Sequence, residues 1–108
     1  MRLTAPSDPG ISLNYGETYN ITWTTHATSS PVETVVIQYT QNSAAVPVTW
    51  KRIASFRAGR YPGRYPWRVP DLARKKTKCR VKVVLKDAYG RNVGEDASDN
   101  NFTIKPFR

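Results

Sequence analysis

A chain of 108 residues has room for one domain with its own core, burying about two-thirds of the surface its unfolded form exposes. Seventeen Lys and Arg against eight Asp and Glu give a formal charge of +9, which either favours anionic partners or keeps a β-rich surface soluble and its edges unsticky. A single cysteine, Cys79, excludes an internal disulfide and a cysteine metal cluster, and no stretch nears the ~18 apolar residues of a membrane-spanning helix.

The start, Met1-Arg2-Leu3-Thr4-Ala5-Pro6, lacks the apolar run of a signal peptide, so an exported parent would make this an excised domain with an added Met. Seven strands are expected in chain order. The first is 3–5, ended by the turn cluster Pro6-Ser7-Asp8-Pro9-Gly10. Residues 11–13 alternate briefly and run into the turn Asn14-Tyr15-Gly16-Glu17. The second strand, 18–25, puts Tyr19, Ile21 and Trp23 on one face, and a polar loop, 26–31, follows.

The third strand, 34–40, aligns Val35, Ile37 and Tyr39 and leads into a small polar loop, 41–47. In the fourth, 48–56, Trp50 and Ile53 break the alternation, which predicts a bulge or an edge position. A basic turn, 57–62, opens the fifth, Gly63-Arg64-Tyr65-Pro66-Trp67-Arg68-Val69-Pro70-Asp71. Its rings alternate inward while Arg64 and Arg68 face out, and two prolines make it short or place it at an edge.

The charged segment Arg74-Lys75-Lys76-Thr77-Lys78 reads as a loop feeding the sixth strand, 79–86. There Cys79, Val81, Val83 and Leu85 point one way and Arg80, Lys82 and Lys86 the other. A turn at 87–92 precedes the last strand, 101–105, with Phe102 and Ile104 inward. No helix of useful length is expected. Short strands at this spacing, without an internal repeat, read as one antiparallel sandwich over residues 1–108. Its expected core is Ile21, Trp23, Val35, Ile37, Tyr39, Ile53, Tyr65, Trp67, Val69, Cys79, Val81, Val83, Leu85, Phe102 and Ile104.

Several runs carry a family resemblance. They are Leu3-Thr4-Ala5-Pro6, Tyr15-Gly16-Glu17-Thr18-Tyr19-Asn20-Ile21-Thr22-Trp23, Val35-Val36-Ile37-Gln38-Tyr39 and Thr49-Trp50-Lys51-Arg52-Ile53-Ala54. The strand at 63–70, Cys79-Arg80-Val81-Lys82-Val83 and Asp96-Ala97-Ser98-Asp99-Asn100-Asn101-Phe102-Thr103-Ile104 complete the set. Together they resemble the immunoglobulin-like or fibronectin-type-III-like domains beside catalytic or anchoring domains of bacterial exported proteins. A related pattern occurs in fungal Ser/Thr-rich, lipid-anchored wall proteins. The turns at 41–47 and 60–63 depart from that pattern by losing acidic residues. The resemblance implies an all-β, immunoglobulin-like or fibronectin-III-like antiparallel sandwich of about seven strands. It also implies a non-catalytic accessory domain, extracellular, at the cell surface or periplasmic, whose partners are neighbouring domains of the same polypeptide.

The residues offer little chemistry. Nucleophilic catalysis needs a base beside the nucleophile, and the one histidine, His26, lies in a Thr/Ser loop. Cys79 reads as a small core residue. Asp87, Glu95, Asp96 and Asp99 are oxygen ligands of the kind Ca²⁺ takes, but their spacing matches no cation loop, and such residues commonly accept backbone N–H groups in turns. No cofactor is expected. Trp50, Tyr61 and Tyr89 are the candidate exposed rings for a neutral sugar, and the glycosylation sequons at Asn20 and Asn101 are too short a motif to carry weight.

The basic surface is the sharpest alternative: a binding module for acidic polysaccharide or another polyanion, including an acidic protein surface. One group is Arg74, Lys75, Lys76, Lys78, Arg80 and Lys82, and the other is Arg57, Arg60, Arg64 and Arg68 around Tyr61. Nucleic acid is disfavoured, because the rings that would stack bases alternate inward.

Overall fold

The computed structural model describes residues 2–6, 10–25, 31–60, 63–70, 74–98 and 100–106. Nine strands are present among them: β1 (Arg2–Ala5), β2 (Ser12–Asn14), β3 (Thr18–Thr24), β4 (Thr34–Thr40), β5 (Lys51–Arg57), β6 (Arg64–Arg68), β7 (Lys76–Lys86), β8 (Asn92–Ala97) and β9 (Phe102–Lys105). They form two sheets. The smaller has the order β1-β3-β6, and the larger runs β2-β9-β7-β4-β5, with β8 also paired to β7.

The period-2 pattern explains the packing. Ile21, Trp23, Val35, Ile37, Tyr39, Trp67, Val69, Cys79, Val81, Val83, Leu85, Phe102 and Ile104 are buried between the sheets. Ile53 and Tyr65, also expected there, lie half-buried at the margin and pack against this cluster. Leu3 and Leu13, from the short N-terminal strands, complete the core. Rings meet inside it, with Trp67 5.6 Å from Tyr39 and 6.2 Å from Phe102, centroid to centroid.

Three expectations are corrected. Seven strands become nine, because β2 and β8 exist. The sandwich is not wholly antiparallel, since β2 runs parallel to β9, with Leu13 opposite Ile104. The charged segment ahead of Cys79 is partly strand: β7 begins at Lys76 and crosses a register shift before Cys79 meets Phe102. Residues 92–97, left out of the expected strands, pair with β7 from Lys82 to Lys86. β7 is thus long enough to serve two partners on one side, β9 near its start and β8 near its end. Between them buried Ser98 keeps the ladder closed: its N–H donates to the Val81 carbonyl and its Oγ accepts from the Val81 N–H.

The irregular fourth strand is both bulged and at an edge. Gln38 pairs with Arg52 and Ile37 with Ala54, which leaves Ile53 as the extra residue. The strand at 64–68 is the edge of the smaller sheet, where Pro66 withdraws no donor from a second neighbour.

Candidate functional site

β7 alternates, so with Val81, Val83 and Leu85 buried, its outward column is Lys78, Arg80, Lys82, Val84 and Lys86. The structure therefore puts four of the six residues of the first basic group on one strand, three of them, Lys78, Arg80 and Lys82, in its outward column. Arg74 and Lys75 precede it and are exposed, and Lys75, Lys76 and Lys78 line a shallow hollow of about 230 Å³ with Gln41, Asn42 and Thr77. Two of these cations are positioned by neighbours. Arg80 Nε donates to Asn101 Oδ1 at 2.9 Å, an oxygen that also accepts from Ser43 Oγ. Lys82 Nζ stands 4.5 Å above the Trp50 ring.

The second group does not stay together. Arg57 ends β5 and faces outward from the larger sheet, opposite Thr34. Arg64 and Arg68 lie opposite Thr22 and Thr18 on the outer face of the smaller sheet, on the other side of the sandwich. Arg60 lies between the two edges. It lines a hollow of about 550 Å³ with Arg57, Ala54, Ser55, Phe56 and Tyr65. Tyr61, around which the four arginines were grouped, is outside the described residues.

Register creates a grouping that neither basic run announces. Lys82, Gln38 and Arg52 form one row across β7, β4 and β5, and Lys86, Thr34 and Arg57 form another. Val84, Val36 and Ser55 make the row between. Strands about 4.8 Å apart set the outer columns about 10 Å from each other, and four residues of β7 set the two cationic rows about 13 Å apart. Arg52 and Lys86 were absent from the expected site. Alternation gives the face of each residue, but pairing between distant strands decides which residues share a row.

The carboxylates have other employment. Asp87 is buried in the β7–β8 turn: Oδ1 accepts from the Tyr89 and Arg91 N–H groups at 2.9 and 3.0 Å, and Oδ2 from Arg91 Nε at 2.9 Å. Burial pulls its pKa up, but these hydrogen bonds and the guanidinium charge outweigh it and hold the carboxyl below the ordinary value of 3.8. Asp96 Oδ2 accepts the Leu3 N–H at 2.7 Å and so ties β8 to β1, and Glu95 accepts from the Asn92 side chain. Among the described residues no three His, Cys, Asp or Glu side chains gather as a metal site. Asp99 and His26 are outside the described residues.

Cys79 is buried, and its thiol donates weakly to the Lys76 carbonyl at 3.7 Å. Desolvation pushes its pKa up to about 11, against the smaller opposing effects of a backbone hydrogen bond at Ile104 and the Lys76 charge. It is the protonated, unreactive form of the side chain. Of the candidate rings, Trp50 is half-buried with Lys82 over it, and Tyr89 is 84 % exposed in its turn with the Arg91 guanidinium 5.3 Å from the ring centre.

No family model matches the sequence, and no curated protein matches it. Among solved structures, the chain is similar to the fibronectin(III)-like modules of Clostridium thermocellum CbhA. The TM-score is 0.62 at 19% identity, over 99% of this chain and 98% of that one. The fold is therefore fibronectin-III-like along its whole length.

Proposed function

We propose that this fibronectin-III-like domain is a non-catalytic accessory module of a larger exported protein, extracellular, at the cell surface or periplasmic. It acts as a spacer or interaction domain beside its neighbours in the same polypeptide. The observation that carries this reading is the end-to-end likeness to a domain that is itself one module of CbhA. The reactive side chains agree with it: Cys79 is a buried protonated thiol, and Asp87 is consumed by its own turn. The test is turnover. The purified domain, given polysaccharide, peptide and ester substrates, should show no rate above buffer, and a rate abolished by Cys79→Ala or Asp87→Asn overturns the reading.

A second reading, a binding module for acidic polysaccharide or another polyanion, is favoured by exposure. Arg57, Arg60, Arg64, Arg68, Arg74, Lys75 and Lys78 are all exposed on a chain of formal charge +9. Retention of the domain on a heparin column in low salt, lost on raising the salt, supports it, and passage in the void volume removes it.

A further inference from the structure

The outer face of the larger sheet carries cations in two rows, Lys82 with Arg52 and Lys86 with Arg57, around a floor of Val84, Val36 and Ser55. We propose that this face binds a linear anionic polysaccharide laid across the strands, its carboxylate or sulfate groups meeting the four cations. The proposal rests on the polyanion reading and deepens it, keeping one cation from each sequence-local group, Lys82 and Arg57, and joining them to Arg52 and Lys86.

Three properties of the face select this occupant. Its centre offers little to a protein partner: Val84 is 8 % exposed and Val36 half-buried, too small an apolar area for the desolvated anchor that dominates protein interfaces. Its ring offers little to a nucleobase, because the Lys82 ammonium stands over Trp50 where a base would stack. What remains is polar and flat, with Gln38, Thr34 and Ser55 supplying donors and acceptors for hydroxyl groups between the charges.

The opposing acids are few. Glu33 lies 3.6 Å from Arg57, with both side chains exposed, so it is a weak pair that an anionic ligand can displace. Glu95 stands opposite Val84 on β8 and is engaged by Asn92. Beyond β5, the chain would meet the hollow of about 550 Å³ beside Arg57 and Tyr65, within the size range of small-ligand clefts.

The test is the affinity of the isolated domain for heparin, which carries sulfate and carboxylate groups, and for polygalacturonate, which carries carboxylates alone. Arg52→Glu/Lys86→Glu should weaken binding to one or both by about tenfold or more in low salt, and Arg52→Gln/Lys86→Gln by about threefold. Arg74→Glu/Lys75→Glu makes the same change of charge away from the face and should weaken binding by at least about threefold less than Arg52→Glu/Lys86→Glu. Equal urea midpoints show that each variant is folded, and the Gln pair decides the matter if the Glu pair is not. Unchanged affinity in the Arg52/Lys86 variants, with loss in the Arg74/Lys75 variant, overturns the face but leaves the polyanion reading standing. No binding of the unmutated domain to either polymer overturns both. Tighter binding to duplex DNA or oligo-dT than to either polysaccharide at equal salt makes nucleic acid the partner and overturns the proposal.

Discussion

Phe56 and Tyr65 stack almost parallel, with centroids 5.5 Å apart and planes 8° from parallel, although they belong to different sheets. Each sits on an edge strand, so their contact closes the side of the sandwich that hydrogen bonds leave open. Trp23, 6.4 Å from Phe56, backs the pair from the core. Because both rings are only half-buried, Phe56→Ala and Tyr65→Ala should each cost about 1–3 kcal/mol. A double-mutant cycle in urea should return a coupling of about 0.5–1.5 kcal/mol, and strictly additive losses would show that the rings do not join the sheets.

The buried thiol gives the fold an alkaline limit. In the unfolded chain Cys79 ionises near the ordinary value of 9.0, whereas in the fold it holds its proton to about 11. Its contribution is whole below pH 9 and is lost as pH rises toward 11, a loss of roughly 2–3 kcal/mol by linkage. Chemical denaturation across this window should fall more steeply for the parent than for Cys79→Ala. Identical slopes would place the thiol in water. Below pH 9, a thiol reagent should label Cys79 only as fast as the domain opens.

Gly63 is a closer constraint than its position in a turn suggests. Its φ is +74°, its carbonyl accepts the Trp23 N–H at 3.0 Å, and a Cβ there would lie 3.1 Å from the Trp23 carbonyl oxygen. Gly59 also has a left-handed φ, +95°, but a Cβ would meet open space. Both Ala substitutions should cost about 1–2 kcal/mol of backbone strain. Only Gly63→Ala should cost more than that and perturb the near-ultraviolet signal of Trp23. Equal losses at the two sites would remove the steric contribution.

Where side chains alternate in and out of one core, the sequence was transparent. Residues 34–40 emerge as the strand Thr34–Thr40 without a change of boundary, and the inward set from Cys79 to Leu85 is buried as expected. β8 was hidden for a physical reason. Asn-Val-Gly-Glu-Asp-Ala has one branched apolar residue and a glycine, and it is extended because β7 offers it an open ladder rather than through its own propensity. β2 is a three-residue strand whose only buried member, Leu13, cannot announce a parallel neighbour some ninety positions away. The cationic rows were illegible for the same reason. Lys82 and Arg52 lie thirty residues apart, and only the shared partner Gln38 brings them into line.

The parallel pairing of β2 with β9 has a mechanical side. Tension from the N-terminal side reaches β2 once β1 has left β3, and with tension entering β9 from the C-terminal side it pulls two parallel strands in opposite senses, along their length. The ladder from Ser12–Thr103 to Asn14–Lys105, bracketed by the Thr103-to-Ile11 and Tyr15-to-Lys105 hydrogen bonds, is then loaded in shear. Bonds loaded in this way share the force and yield together rather than unzipping singly, which makes this short latch, poorly visible in the sequence, a point of resistance to stretching.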